Sequence, residues 1–332
     1  MQNFFDMASI QDAYDVVIIG AGPAGCSAAI YTSRDELSTL VLEQTAPGGQ
    51  MGVTSHIDNH PGFPETISGM DLTDRYHAQA TRFGATLRQG ICIDMKLRED
   101  GSKEIYIQDR AKPIIAQAVI VATGCAPKKM DVPGESKFWG RGVSTCATCD
   151  GGFYKDKVVV AIGGGNTALS ESLYLTRFAK KLYLVHRRDE FRGTKIDQRA
   201  IETHPCVELV LDSVITEITG DSKVQAVNVK NVKTGAMRNI DTDGVFIFIG
   251  QTPLIAPFDK YLKVDKMGYI LTNEYMETNM QGVFAAGDIR SKEYRQIAIA
   301  IGEAVTAAQR VNHYLRTRKL NTCSIDGKAD KA

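Results

Sequence analysis

The sequence is short of the features that mark membrane or secreted proteins. No apolar run approaches the roughly 20 residues that a bilayer-spanning helix requires. Residues 1–13 carry Asp6 and Asp12 and lack a cationic front followed by an apolar stretch, so no secretory leader is expected there. Cysteines number only seven in 332 residues, an odd count with a single close pair. A secreted disulfide framework is denser and evenly paired, so a reducing, cytoplasmic setting is expected. Charge of one sign is not in excess: Lys plus Arg and Asp plus Glu each total 39. That balance argues against nucleic acid or an anionic membrane as partner. Histidine is scarce, and His56 and His60 have neither a third ligand nor a helical frame, so no metal centre is expected. The only tryptophan, Trp139, is read as a packing residue.

What is present is concentrated in short motifs. The length has room for two domains, and 43% hydrophobic with 23% charged residues provide both core and solvated surface. Tyr14-Asp15-Val16-Val17-Ile18-Ile19 has the β-branched, continuous apolar pattern of a buried parallel strand. It enters Gly20-Ala21-Gly22-Pro23-Ala24-Gly25, then a helical stretch over residues 27–33, then the strand Thr39-Leu40-Val41-Leu42 ending in Glu43. This is a complete dinucleotide-binding unit. The first glycine permits a tight turn, the second lets backbone approach a pyrophosphate, and the third lets helix and strand pack closely. The helix N-terminus offers unpaired N–H groups to phosphate. Glu43 is placed to accept hydrogen bonds from ribose hydroxyls, which excludes a 2′-phosphate at that adenosine.

A second unit follows in the same style. Ser144-Thr145-Cys146-Ala147-Thr148-Cys149-Asp150-Gly151 sets two cysteines in a CxxC spacing with an acid directly after. Such an acid can protonate a departing thiolate. Polar neighbours suit a reactive dithiol better than buried thiols, and a structural zinc would need two more ligands that are absent. Residues 157–162 read as a strand, Gly163-Gly164-Gly165-Asn166-Thr167-Ala168 as a GxGxxA loop, residues 169–179 as a helix and residues 181–185 as the next strand. At its end stand His186-Arg187-Arg188-Asp189 and, further on, Arg192. Guanidinium groups here suit a 2′-phosphate, so this unit is expected to take NADPH rather than NADH.

The remaining stretches are read more coarsely. Residues 47–64 form a Gly- and Pro-rich ordered loop and residues 70–82 a helix. Residues 86–107 and 207–232 each have the alternation of a small β meander. Residues 118–124 form a buried strand whose small end, Ala122-Thr123-Gly124, lets a cofactor lie close. Pro-containing crossovers follow near Cys125 and at Gln251-Thr252-Pro253. Ala285-Ala286-Gly287-Asp288 ends another strand with an acid for a ribitol or ribose hydroxyl, and Tyr294-Arg295-Gln296-Ile297 opens a helix to about residue 315. Its N-terminus with Arg295 suits the negative charge of a reduced flavin. The polar tail from residue 321, with Cys323, is expected to fray.

Together these motifs resemble the low-molecular-weight thioredoxin reductases over about residues 15–315; the most specific is Cys146-Ala147-Thr148-Cys149-Asp150-Gly151 between two glycine loops. The resemblance implies an α/β fold of two Rossmann-like dinucleotide-binding domains, three-layer ββα, one inserted in the other. The FAD domain is expected over residues 1–125 and 254–320, the NADPH domain with the dithiol over 126–253, and a tail over 321–332. For FAD the implied residues are Gly20, Gly22, Pro23, Ala24, Gly25, Glu43, Gly49, Gln50, Asn59, Ala122, Thr123, Gly124, Gly287, Asp288, Arg295, Gln296 and Ile297. For NADPH they are Gly163, Gly165, Asn166, Thr167, Ala168, His186, Arg187, Arg188 and Arg192. The implied activity carries electrons from NADPH through FAD to the Cys146–Cys149 disulfide and on to oxidised thioredoxin or a thioredoxin-like protein. Cys149 is the sulfur implied to face the flavin, Asp150 the acid–base, and the assembly a homodimer. Because the dithiol must meet both flavin and protein partner, the inserted domain is expected to rotate. One departure stands at Ser170, where the family pattern has a second acid. The alternatives are an FAD-dependent dithiol oxidase or a relative with another electron donor; both would be expected to lack Arg187, Arg188 and Arg192.

Overall fold

The computed structural model describes residues 10–52, 54 and 57–326, with side chains described to residue 318. His56, residues 1–9, the last six residues and the side chain of Cys323 lie outside the described residues. The chain divides into two units: Met1–Ala126 with Thr252–Ala332, and Pro127–Gln251. The cuts fall one residue after and two residues before the boundaries expected from sequence.

The first unit opens with β1 (Ala13–Ile19), α1 (Pro23–Arg34), β2 (Thr39–Glu43), α2 (Gly49–Gly52), α3 (Gly69–Arg82), β3 (Thr86–Gln89), β4 (Cys92–Leu97), β5 (Lys103–Ile107), β6 (Ile114–Val121) and β7 (Cys125–Pro127). Pro23 starts α1 at the one helical turn that tolerates it, since the missing N–H has no intrahelical partner there. The sheet runs β3-β2-β1-β6-β5-β4. Residues 86–107 are therefore not one meander. β3 pairs in parallel with β2, and only β4 and β5 continue antiparallel from β6. Alternation predicts a strand but not its partner, and the open edge of β2 captured β3.

The second unit contains β8 (Val143–Ser144), α4 (Ala147–Asp150) with a following 3-10 turn (Gly151–Tyr154), β9 (Val158–Ile162), α5 (Asn166–Leu175), β10 (Lys181–Val185), α6 (Lys195–Glu202), β11 (Val207–Val210), β12 (Ser213–Gly220), β13 (Val224–Asn231), β14 (Met237–Asp241) and β15 (Gly244–Ile247). Its parallel sheet has the order β11-β10-β9-β15-β8, and β12-β13-β14 form a separate antiparallel sheet. The expected meander over residues 207–232 is thus displaced: β11 joins the parallel sheet and β14 completes the meander instead. The helix α6 was not foreseen; Thr194 caps it by accepting from the Asp197 N–H, and Ile201 is its one fully buried apolar anchor.

The chain returns to the first unit through β16 (Gln251–Pro253), then β17 (Val283–Ala285) and α7 (Ile297–Asp326). β7 and β16, the two linkers, form a two-stranded sheet. Leu254 N–H bonds Gly124 O inside the first unit, and Lys128 N–H bonds Gly250 O inside the second. Helix α7 starts after Gln296 and continues through Asp326, so the backbone past residue 321 is helical where fraying was expected. Among the described residues no helix is long and apolar enough to cross a membrane.

The central parallel strands of each unit are covered on both faces, which is why they are continuous apolar runs. Val16 and Ile18 face α1 and the alanines of α7, whereas Val17 and Ile19 join Met95, Ile105 and Phe258. In the second unit Val160 and Ile162 pack on the β12–β14 layer and Val159 and Ala161 on α5 and α6. Trp139 joins the β12–β14 cluster as a packing residue. Each fully buried aliphatic side chain contributes about 1.5–3 kcal/mol.

Candidate active site

The two cysteines of the CxxC are joined by a disulfide on the single turn α4. Cys146 is its N-cap, and its Sγ accepts from the Cys149 N–H at 3.2 Å. The Thr148 hydroxyl lies 3.4 Å from the same sulfur, and Ser144 Oγ accepts from the Cys146 N–H at 3.1 Å. Cys146, Cys149 and Asp150 are half-buried, while Ala147 between them is fully buried and anchors the turn in the core. Asp150 ends the turn, its N–H bonded to Cys146 O. Burial, with Asp150 and then Asp243 nearby, pushes the Tyr154 hydroxyl up to about 12. The turn is also held by a residue not foreseen from sequence: Glu171 Oε2 on α5 accepts from the Ala147 N–H at 2.8 Å. Burial raises the Glu171 carboxyl, opposed by the Ala147 and Thr148 N–H groups. The buried stripe of α5 is Ala168, Leu169, Ser172 and Leu175, and Glu171 borders it. An acid beside a buried helical stripe was the available signal. Ser170, the departure, is exposed and donates to Thr167 O.

The other four described thiols have different surroundings. Burial pushes Cys26, Cys92 and Cys125 up to about 12, and raises Cys206 as well. They are unfit as thiolates at neutral pH.

In the first unit the glycine loop brings its residues to one place. Gly20 adopts φ +110°, and a Cβ there would sit 2.4 Å from Ala122 O. A Cβ on Gly25 would meet Gly20 O at 1.8 Å, so helix and strand touch through glycine. Gly22 caps α1, where a Cβ would come into ordinary contact with Gly48 O at 3.9 Å, and no heavy atom comes within 4 Å of a Cβ built on Gly124. Glu43 braces the loop: one oxygen accepts from Ala21 N–H at 2.8 Å, the other from Thr45 N–H at 3.1 Å. Both oxygens keep lone pairs for hydroxyl groups. Thr123 Oγ1 and Arg295 Nε are buried polar atoms with no hydrogen-bond partner among the described residues. Such atoms are costly unless a ligand satisfies them. Arg295 lies 4.1 Å from the centre of the Tyr269 ring, and Asn59 donates to Gln296 Oε1 at 3.2 Å just before Ile297 begins α7. Gly49 and Gln50 open α2. Gly287 packs against Ala24, and its N–H bonds Glu303 Oε2 at 2.8 Å. Asp288 is half-buried and its carboxyl is raised by burial, with Lys292 at 3.3 Å and Arg295 acting against it. Glu303 was also unforeseen; it pairs with Arg290 at 2.6 Å and Lys292 at 3.2 Å and so ties the Asp288 loop to α7. The orphaned Thr123 and Arg295 atoms and the open glycine face fit a dinucleotide such as FAD.

In the second unit Gly163 takes φ +148°, and a Cβ there would lie 2.6 Å from that of Ala168. Gly165 caps α5, with open space beside it and with Asn166 and Thr167 exposed. His186 is buried, stacks on Phe191 and fills the space beside Gly164, so it shapes the loop by packing. Burial, with the adjacent arginines, lowers its imidazole. Arg192 N–H holds Gly164 O at 2.7 Å. Arg187, Arg188 and Arg192 are exposed, and among the described residues no carboxylate within the 4.0 Å ion-pair reach answers them. Asp189, the nearest acid in sequence, is held by Lys233 at 2.8 Å instead. Lys233 was not foreseen in this role. An open glycine face beside three uncompensated guanidinium groups fits a 2′-phosphorylated dinucleotide.

Known proteins resemble the chain over most of its length. The model of the pyridine nucleotide-disulphide oxidoreductase family matches residues 14–304. A thioredoxin reductase of Bacillus subtilis is 46% identical over 308 residues, covering 92% of this chain and 96% of the relative. One from Listeria innocua is 43% identical over 314 residues, covering 94% and 97%. The crystal structure of thioredoxin reductase from Streptococcus pyogenes superposes with a TM-score of 0.87 at 40% identity, over 93% of this chain and 100% of that one. With most of its length matched and its dithiol set between two open glycine loops, the chain belongs to the pyridine nucleotide-disulphide oxidoreductase family, among the low-molecular-weight thioredoxin reductases.

Proposed function

We propose that the chain is an NADPH-dependent thioredoxin-disulfide reductase whose working group is the Cys146–Cys149 disulfide, with thioredoxin or a thioredoxin-like protein as electron acceptor. The observation that carries this is a half-exposed disulfide on a one-turn helix, followed by an acid, in a unit that also presents an open glycine loop and unpaired arginines. The bound cofactors, FAD and NADPH, supply hydride transfer and a store for the electron pair.

The residues divide the remaining work. The loop from Gly20 to Gly25, Pro23 and Ala24 included, admits the FAD pyrophosphate to the α1 N-terminus, and Glu43 takes adenosine ribose hydroxyls. Asp288 takes a further hydroxyl; Ala122, Thr123 and Gly124 border the ring system; Arg295 with Asn59 and Gln296 closes the same end of the unit. Gly49, Gln50, Gly287 and Ile297 complete that shell. In the second unit the Gly163–Ala168 loop holds the NADPH pyrophosphate, and Arg187, Arg188 and Arg192 hold its 2′-phosphate. After reduction, a thiolate of the pair attacks the acceptor disulfide, a mixed disulfide forms, and the second cysteine closes the ring and releases a dithiol. Asp150 gives the departing thiolate its proton and takes one from the resolving thiol.

The assembly is proposed to be a homodimer in the cytoplasm, without nucleic acid or membrane partners. The second unit, roughly residues 126–253, is proposed to turn about its two linkers during the cycle, because the same dithiol serves two partners. The oxidase alternative is disfavoured by three arginines kept clear of carboxylates.

An anaerobic titration tests the reading. NADPH should bleach the flavin band of the full-length protein, and oxidised thioredoxin should restore it. Cys149→Ser should abolish that restoration. A band that only dithionite bleaches would overturn the NADPH assignment.

A further inference from the structure

The turn that carries the disulfide has few backbone donors, and their distribution is uneven. A helix leaves its first N–H groups without intrahelical partners. In α4 one such donor, Cys149 N–H, points at Cys146 Sγ at 3.2 Å. The Ala147 N–H goes to Glu171 Oε2 at 2.8 Å, and the Thr148 N–H also bonds this carboxylate. Glu171 reaches across from α5, 24 residues on in the chain. Among the described residues no Lys, Arg or His comes within the 4.0 Å ion-pair reach of it. A half-buried carboxylate without a basic partner is held against the reacting pair by backbone donors alone.

We infer that Glu171 is a positioning residue that sets the reducing strength of the dithiol. It withdraws two N–H donors that would otherwise favour a Cys146 thiolate, and it sets a carboxylate against the turn that carries the pair. Both effects disfavour the thiolate. A dithiol whose reduced form is poorly stabilised gives up its electrons readily; a strongly stabilised one makes an oxidant. This suits a site that must pass electrons outward, and in that sense it rests on the proposed reductase function. The same carboxylate holds the Cys146–Cys149 turn against α5.

The elements packed around the turn carry other titratable groups. Asp150 belongs to the turn, Tyr154 to the 3-10 turn after it and Tyr174 to α5. On β10, Lys181 pairs with Glu208 at 3.0 Å, and Tyr183 packs with the β12–β14 layer. On α6, Lys195 and Asp197 bond within their own first turn, and Arg199 and Glu202 are exposed.

The test uses the full-length FAD-loaded protein and needs neither NADPH nor thioredoxin. The reduced pair is titrated with pH by thiolate ultraviolet absorbance, and the disulfide is equilibrated with a dithiothreitol redox buffer. Glu171→Gln is nearly isosteric and keeps an acceptor for Ala147, so the fold is retained. It should lower the thiol pKa by about one unit and favour the reduced form about tenfold. Glu171→Leu removes the acceptor too and should shift both further. Gln titrating and equilibrating like the unchanged protein would overturn the inference. In a separate assay, failure of the unchanged protein to reduce thioredoxin with NADPH would overturn the reductase reading instead, with the dithiol titration still reporting on Glu171.

Discussion

Asp189 follows Arg187 and Arg188 directly in the chain, and local chemistry alone would have it neutralise one of them. It does not, because Lys233 in the turn between β13 and β14 bonds it at 2.8 Å and also bonds Asp212 at 3.0 Å. The arginines stay available to a phosphate as a result. Changing Arg188 and Arg192 to Ala should raise KM for NADPH at least about tenfold and leave KM for NADH nearly unchanged, in steady-state rates with each nucleotide. Equal losses for both nucleotides would sink the 2′-phosphate assignment. At this scale the sequence made the arginines, the dithiol and the glycines legible, because each motif is complete within a few residues. It hid Lys233 and Glu171, whose partners lie 44 and 24 residues away.

At the scale of elements, strand β5 carries the clearest conflict between pattern and packing. Its inward positions are Lys103, Ile105 and Ile107, and Lys103 is fully buried. Its ammonium donates to Gln117 O at 3.1 Å and sits 5.2 Å from the centre of the Tyr314 ring on α7. Burial first, then Arg318, push it down to about 7, with Asp100 acting the other way. An amine whose folded pKa lies below its unfolded value makes the unfolded chain bind more protons. Stability should therefore rise with pH from about 7 towards the ordinary lysine range near 10.4. Lys103→Met should flatten that rise and stabilise the protein at neutral pH by about 1–3 kcal/mol in denaturant unfolding. An unchanged pH slope would count against a suppressed ammonium. Other elements differ from the sequence expectation for a related reason. β3 and β11 alternate like meander strands, but four residues of alternation suit a parallel edge equally well, and the open edges of β2 and β10 decided. Helix α7 starts later than expected because Arg295 and Gln296 are engaged before it, with Tyr269 and Asn59.

For the whole molecule the decisive feature is that the second unit is one continuous insertion joined by two short linkers, β7 and β16. The proposed cycle, in which a single dithiol serves both a flavin and a protein disulfide, would have those linkers act as a hinge. Cross-linking the two units with a short cleavable reagent should abolish thioredoxin turnover, and cleaving the link should restore it. Undiminished turnover in the linked protein would rule the hinge out. The sequence by itself determined the two dinucleotide-binding frames, the redox pair and the nucleotide preference, because tight turns, CxxC spacing and strand-end charges are local properties. Only the tertiary structure decided which charges remain unpaired, which carboxylate grips the redox turn and which lysine is buried. Those outcomes depend on partners brought together by packing, and burial, rather than residue type, sets their electrostatic cost.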